Sequence, residues 1–466
     1  MIQPERIRRR NDKAPRNGQY VLYWMQQSQR AFFNHALEYA ASQANDLQLP
    51  LVVVFGLTDR FPEANERHYA FMVEGLRETQ RALAKRGAQL VVRRTIPDRA
   101  ALELAADAAL LVTDRGYLRI QREWRIRVAK SVACPMVEVE SDSVIPVETA
   151  SNREEYAART IRPKLMRMLP RFLVPLTPRR LKRDSMGLKF DSVVLDDVDG
   201  LLAQLRLDRT VARVASTTGG ASQAERLLET FLNGTLAAYG ASANDPAHDG
   251  QSGLGPYLHF GQISPLYVAL EVSARAQGRH SESVAVFLEQ LIIRRELALN
   301  LTHFNPRYDQ YDVLPEWARR TLDKHARDRR DPTYTAAQLE SARTHDPYWN
   351  AAMAEMAGTG KMHGYMRMYW GKKIIEWTRD PREAFRIALA LNNKYFLDGR
   401  DPNGFTNVAW LFGKHDRPWQ ERPIFGTVRY MNAKGLERKF DMDDYVDRVK
   451  RSFQMVEERG GATRAQ

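Results

Sequence analysis

Between residues 20 and 141, short apolar runs alternate with amphipathic stretches, and this alternation restricts the possible folds more than any other feature of the chain. YVLYWM (20–25), LPLVVVFGL (49–57), QLVVRR (89–94), ALLVTD (109–114) and PMVEVES (135–141) read as strands. The stretches 28–46, 64–86, 97–107 and 117–131 repeat their apolar residues at the helical period and carry charged faces. Strand, helix, strand in succession implies a parallel sheet covered on both sides, a Rossmann-like α/β layout. Such sheets commonly hold nucleotides, yet no G-x-G-x-x-G follows the first strand, which leaves ordinary dinucleotide binding without support.

The 466 residues exceed one ordinary core and point to two or three domains. The texture changes near 145. RPKLMRMLPRFLVPLTPRRLKRDSMGLKF (162–190) is crowded with Lys and Arg and reads as a connector crossing a surface, where solvated cations and nucleic-acid contacts are alternative roles. STTGGAS (216–222) punctuates, and the chain then reads as helical to about 455, with a polar tail, ERGGATRAQ, expected to be disordered. The expected division is an α/β domain over 18–145, a connector over 146–221 and an all-α domain over 222–455.

Seventy Lys and Arg against 57 Asp and Glu give a net charge of +13, favouring a polyanionic partner, nucleic acid first, although a basic surface also serves solubility. The single cysteine, Cys134, excludes an intramolecular disulfide, a cysteine-ligated iron–sulfur cluster and a structural zinc site, and fits a reducing, cytoplasmic setting. No apolar run follows the basic N-terminus and none is long enough to span a bilayer, so neither a secretory signal nor a membrane segment is expected. G-x-S-x-G, H-E-x-x-H and Walker sequences are absent, as are clustered His and Cys, so no metal is expected.

KMHGYMRMYWGKKIIEW (361–377) spaces Trp370 and Trp377 seven apart, about two helical turns, on the face that also carries Arg367 and Ile374. Lys372 and Lys373 are then expected on a wet side. Indoles on one stripe can simply fill a core. The same half of the chain, however, also gathers Trp349, Asn392, Asn393, Trp410 and Trp419, interleaved with Arg367, Asp398, Arg400 and Asp401. A redox cofactor beside stacked bases would use such a set.

Several longer stretches carry a family resemblance: YVLYWMQQSQR (20–30), FPEANERHYAFM (61–72), EEYAARTIRPK (154–164), LGPYLHFGQIS (254–264), the 361–377 helix, LDGRDPNGF (397–405) and HDRPWQERPIFGTVRYMN (415–432). Together they resemble the class II cyclobutane pyrimidine dimer photolyases of the photolyase and cryptochrome superfamily, over about 18–447. The resemblance implies an N-terminal α/β domain able to hold an antenna chromophore of the deazaflavin or folate type, and a helical domain that clasps FAD. It implies an enzyme that uses light and reduced FAD to split a pyrimidine dimer flipped out of damaged DNA, acting as a monomer.

By the same resemblance, Trp349, Trp370 and Trp377 relay electrons to the flavin, and Asn392 faces its N5. Arg367 and Asp398 form an ion pair beside the ring, and Tyr239 with Ser252, Gly253, Leu254 and Gly255 forms the phosphate loop. Asn244, Gln290, Arg294, Gly364, Tyr365, Met368, Trp410 and Trp419 correspond to the DNA and dimer pocket. Three departures stand out: Gly255 replaces a serine, Ala243 an arginine and Gln290 an acid. Glu289 would take the acid's place only through a one-residue shift of helical register, a turn of about 100°. A cryptochrome-like photoreceptor without repair activity is the alternative these departures leave open.

Overall fold

A computed structural model of the chain describes residues 2–276 and 281–463. The polar leader contributes an edge strand, β1 (Ile7–Arg9), ahead of the expected strands β2 (Tyr20–Trp24), β3 (Leu51–Gly56), β4 (Gln89–Arg93), β5 (Ala108–Asp114) and β6 (Met136–Val139). Four helices alternate with them: α1 (His35–Asp46), α2 (Glu66–Lys85), α3 (Pro97–Ala105) and α4 (Arg119–Ser131). The order across the sheet is β1-β6-β5-β2-β3-β4, parallel throughout except for β1, which runs antiparallel to β6. Every residue of β2, β3 and β5 is buried because helices cover both faces, and this is why these strands read as unbroken apolar runs.

The chain leaves β2 toward β3 and β4, then returns to lay β5 on the other side of β2. That reversal opens a crevice at the carboxyl ends of the central strands. The basic connector is bound rather than merely solvated. After the Ala158–Phe172 helix it runs along the free edge of β4, where Val193 N–H donates to Val92 O at 2.9 Å and Gln89 N–H donates to Ser185 Oγ at 2.8 Å. The connector thereby satisfies an edge that would otherwise offer unpaired donors and acceptors.

Four helices of the second half carry about half of the expected site residues, the three indoles among them: α5 (Pro347–Thr359), α6 (Gly364–Trp377), α7 (Pro381–Tyr395) and α8 (Pro402–Leu411). The turn between α5 and α6 falls at Gly360, whose φ of +68° suits a residue without a side chain, and a Cβ there would come 2.7 Å from Leu397 Cγ. The final helix, Met442–Thr463, continues into the tail expected to lack structure, while residues 464–466 of that tail lie outside the described residues. Among the described residues no helix is long and apolar enough to cross a membrane.

The two halves meet at the start of α2. The last carbonyls of α7 have no partner within their own helix. Asn65 Nδ2 donates to Lys394 O at 2.8 Å, Arg67 to Tyr395 O at 2.7 Å and His68 Nε2 to Phe396 O at 2.9 Å. His68 Nδ1 accepts from Asn65 N–H at 3.1 Å, so this buried ring uses both nitrogens as a neutral imidazole, and burial pulls its pKa well down. FPEANERHYAFM is thus a clamp between the two halves of the chain.

Candidate active site

The three expected indoles come together in one core. Asp346 caps α5 by accepting from Trp349 N–H at 3.0 Å. Trp349 Nε1 then donates to the carbonyl of Trp370 on α6 at 2.9 Å. Trp349 also meets Trp377 edge to face, with centroids 5.6 Å apart. The spatial order is therefore Trp370, Trp349, Trp377, with the middle indole drawn from another helix. All three are buried, and beyond Trp377 lie Tyr334 at 5.2 Å and the exposed His345 at 5.4 Å. The row leads outward from the interior.

The wet side expected of α6 is absent. Lys372 and Lys373 are both buried. Lys372 Nζ donates to Leu411 O, the last residue of α8, and burial brings its pKa down to about 7. Lys373 pairs with Glu376 at 2.8 Å and lies over the Tyr369 and Trp377 rings at 5.5 Å. A neighbouring helix receives Lys372, and partners on α6 itself receive Lys373.

Arg367, Asn392 and Asp398 converge as expected, but the expected ion pair is not closed. The Arg367 guanidinium donates to Asn392 Oδ1 and lies 3.9 Å over the Phe396 ring. No Arg367–Asp398 salt bridge forms among the described residues, and the carboxylate acts on the guanidinium through space. Burial lowers the Arg367 pKa while Asp398 and Asp401 hold it up, and burial raises that of Asp398 against the pull of Arg367. Both groups lie deep enough for desolvation to dominate, yet each keeps some accessible surface. Neither is sealed completely into the core. Asp398 Oδ1 has no hydrogen-bond partner, an acceptor left open in the interior.

Gly255 packs against this carboxylate: a Cβ at that position would sit 2.9 Å from Asp398 Oδ2. The segment before it is compact, with Gly253 at φ +68° and Ser252 Oγ accepting from Leu254 N–H at 3.4 Å. Tyr239 is buried against Phe231 and Phe287, with centroids 5.4 and 5.5 Å away. An unpartnered carboxylate, a guanidinium, a buried amide and a small-residue segment with free backbone donors form a set that fits a flavin with its phosphates.

The expected pocket residues are only partly gathered. The Arg294 guanidinium lies 5.0 Å over Trp410, whose other neighbour is His415 at 5.7 Å. Tyr365 packs on Phe440 and accepts from Lys439 Nζ at 3.1 Å, while Met368 is partly buried and Gly364 exposed. Trp419 is exposed between Arg417 and Arg429, with no ring contact to Trp410 among the described residues. Asn244 and Gln290 are exposed.

Glu289–Arg294 forms a π-helical turn, which brings residues five apart onto one face. Glu289 consequently reaches Arg294 at 3.2 Å as well as Arg162 at 2.7 Å. This departure from α-helical register sets Glu289 beside Arg294, a neighbour that the regular helical pattern does not give it. An i to i+5 turn leaves no signal in a pattern built on 3.6 residues.

A cavity lies in the crevice of the α/β half, lined by Met25, Gln26, Phe55, Phe61 and Trp124 and closed from the helical half by His259. His259 Nδ1 bonds Asp401 Oδ2 at 3.0 Å. Sequence reasoning assigned no residues to this cavity, because its lining comes from the ends of separate strands.

A family model described as DNA photolyase matches residues 21–181. The deoxyribodipyrimidine photo-lyase of Methanothermobacter thermautotrophicus is 53% identical over 451 residues, covering 97% of this chain and 99% of that protein. Among solved structures, a class III photolyase from Agrobacterium tumefaciens superposes with a TM-score of 0.74 at 19% identity, covering 94% of this chain and 87% of that one. A Synechocystis cryptochrome superposes with a TM-score of 0.71 at 15% identity, covering 92% and 87%.

Proposed function

The chain belongs to the deoxyribodipyrimidine photo-lyases, the DNA photolyase family, and on that premise we propose that it is a class II enzyme repairing cyclobutane pyrimidine dimers with the site described above. It is a DNA-repair lyase with FAD as its cofactor. The observation that carries the assignment of the site is the row Trp370, Trp349, Trp377 on the helices that also hold Arg367 and Asn392. FAD held beside Arg367, Asn392 and Asp398 would supply the light-driven electron transfer by which the dimer is opened.

The chain's own residues bind, orient and insulate. Ser252, Gly253 and Gly255 offer backbone N–H groups to phosphate, Arg367 and Asn392 face the ring, and Asp398 supplies the open acceptor. The three buried indoles form a path by which an oxidised cofactor regains electrons from the surface. Arg294 over Trp410 makes a flat, partly apolar platform for bases, and Arg417 and Arg429 around the exposed Trp419 suit phosphates. A dimer must leave the duplex to reach such a platform, and photolyases are themselves among the enzymes from which the rule of base extrusion is drawn. We assign the α/β half, residues 18–145, to an antenna chromophore held in its crevice, residues 146–221 to the connector and 222–455 to catalysis. The monomer and a cytoplasmic location belong to the same reading.

The test is illumination of the reduced protein, without air, on an oligonucleotide carrying one thymine dimer. Thymine absorbance returns in light and not in darkness. A flavin-bearing protein that leaves the dimer intact would instead be a photoreceptor, and colourless protein would remove the flavin from the account.

A further inference from the structure

The turn between β3 and α2 belongs by sequence to the α/β half, yet one of its side chains ends on the amide next to the flavin site. We propose that Glu63 fixes which way the Asn392 amide faces, acting through Asn393, and so biases the redox state of the cofactor; this rests on the reading that Asn392 borders the flavin.

The argument is one of donors and acceptors. An ionised carboxylate can only accept, and a guanidinium or a backbone N–H can only donate. Glu63 Oε2 accepts from Asn393 Nδ2 at 2.7 Å. That leaves Asn393 Oδ1 to accept from Arg400 N–H at 3.0 Å and from Asn392 Nδ2 at 2.9 Å. Asn392 is then left with its Oδ1 turned toward Arg367, whose guanidinium donates to it. Both asparagines are fully buried. Turning either amide over would set oxygen against oxygen and N–H against N–H, at the full cost of unsatisfied buried groups.

The lock is anchored from outside the helix that carries it. Glu63 is exposed and held at φ +57° in a turn whose next residues, Asn65, Arg67 and His68, grip the end of α7. A turn so fastened can hold a carboxylate in place against solvent. The resulting amide presents an acceptor on the Arg367 side. A reduced flavin carries a proton on N5 and an oxidised one does not, so a fixed acceptor favours the reduced form. Glu63 is therefore a positioning residue: it touches neither cofactor nor substrate.

The test uses full-length holoprotein with Glu63→Ala, Glu63→Gln and Asn392→Ala, and reads the reoxidation rate of reduced flavin in air, its midpoint potential and the thermal midpoint. Glu63→Ala is expected to speed reoxidation about fivefold and lower the potential, the effect of losing one net hydrogen bond's worth of preference. Glu63→Gln keeps an acceptor for Asn393 Nδ2 and stays at the parental rate. Two results overturn the proposal: parental reoxidation in Glu63→Ala while Asn392→Ala is fast, or equally fast reoxidation in the Ala and Gln variants. Parental behaviour in Asn392→Ala is a separate outcome and removes the placement of the amide beside the flavin itself.

Discussion

Trp349 and Trp377 meet edge to face at 67° with their centroids 5.6 Å apart, although one belongs to α5 and the other to α6. Trp370 is tied to the pair through its backbone carbonyl. The indole row thus depends on how two helices pack across the turn at Gly360, not on the spacing within one of them.

Trp377→Phe is expected to slow photoreduction of the oxidised flavin by at least an order of magnitude and to leave repair by chemically reduced enzyme unchanged. Trp349→Phe behaves alike, since it is the middle member. Phenylalanine is the substitution of choice because a buried Trp→Ala change costs about 3–5 kcal/mol of stability. Equal photoreduction in variant and parent would dismiss the relay.

Trp410→Ala removes the ring beneath Arg294. Binding to dimer-containing oligonucleotide should weaken by about 1–3 kcal/mol, the range for one stacked base, while binding to undamaged duplex changes little. Fluorescence anisotropy on the two substrates reads the difference, and a parallel loss on both would place Trp410 outside the dimer pocket.

Ala243→Arg supplies a cation where the family resemblance expects one, at a partly exposed position whose carbonyl accepts from Gln251 at 2.8 Å. Affinity for damaged DNA should rise, and the slope of log affinity against log salt should steepen by about 0.9, one further phosphate contact. An unchanged slope would show that no phosphate comes within reach.

Lys372→Met tests the buried amine. The folded pKa is about 7 against an ordinary 10.5, so between these values the unfolded chain binds the proton more tightly and the parent loses stability as pH falls. Below the lower value the penalty is complete, and above the higher one it vanishes. The stability gain of the variant over the parent should therefore shrink by up to about 1.4 kcal/mol per pH unit as pH rises through that window. Denaturant unfolding at several pH values measures it, and a gain independent of pH would mean that Lys372 titrates normally.

The α/β half was legible in the sequence because strands buried on both faces must be apolar throughout and the helices between them show their period. β1 was not, since Ile7–Arg9 is a short edge strand in a run of arginines. In the site, Trp370, Trp377, Arg367 and Asn392 could be named because helix spacing and family motifs mark them. The Arg367–Asn392 hydrogen bond, the burial of Lys372 and the approach of Glu289 to Arg294 could not. Each depends on a neighbour from another element or on a local departure from α-helical register. The clamp in FPEANERHYAFM was visible only as a motif, and its work appears once Asn65, Arg67 and His68 are seen at the end of α7.

That clamp bears on how the polypeptide could be shortened. Truncation at the connector would strip the terminal carbonyls of α7 of their partners and leave three acceptors bare, one buried and two part-buried, next to the residues proposed to border the flavin. A lineage that dispensed with light harvesting would still have to keep the first half of the chain, as scaffolding for the second.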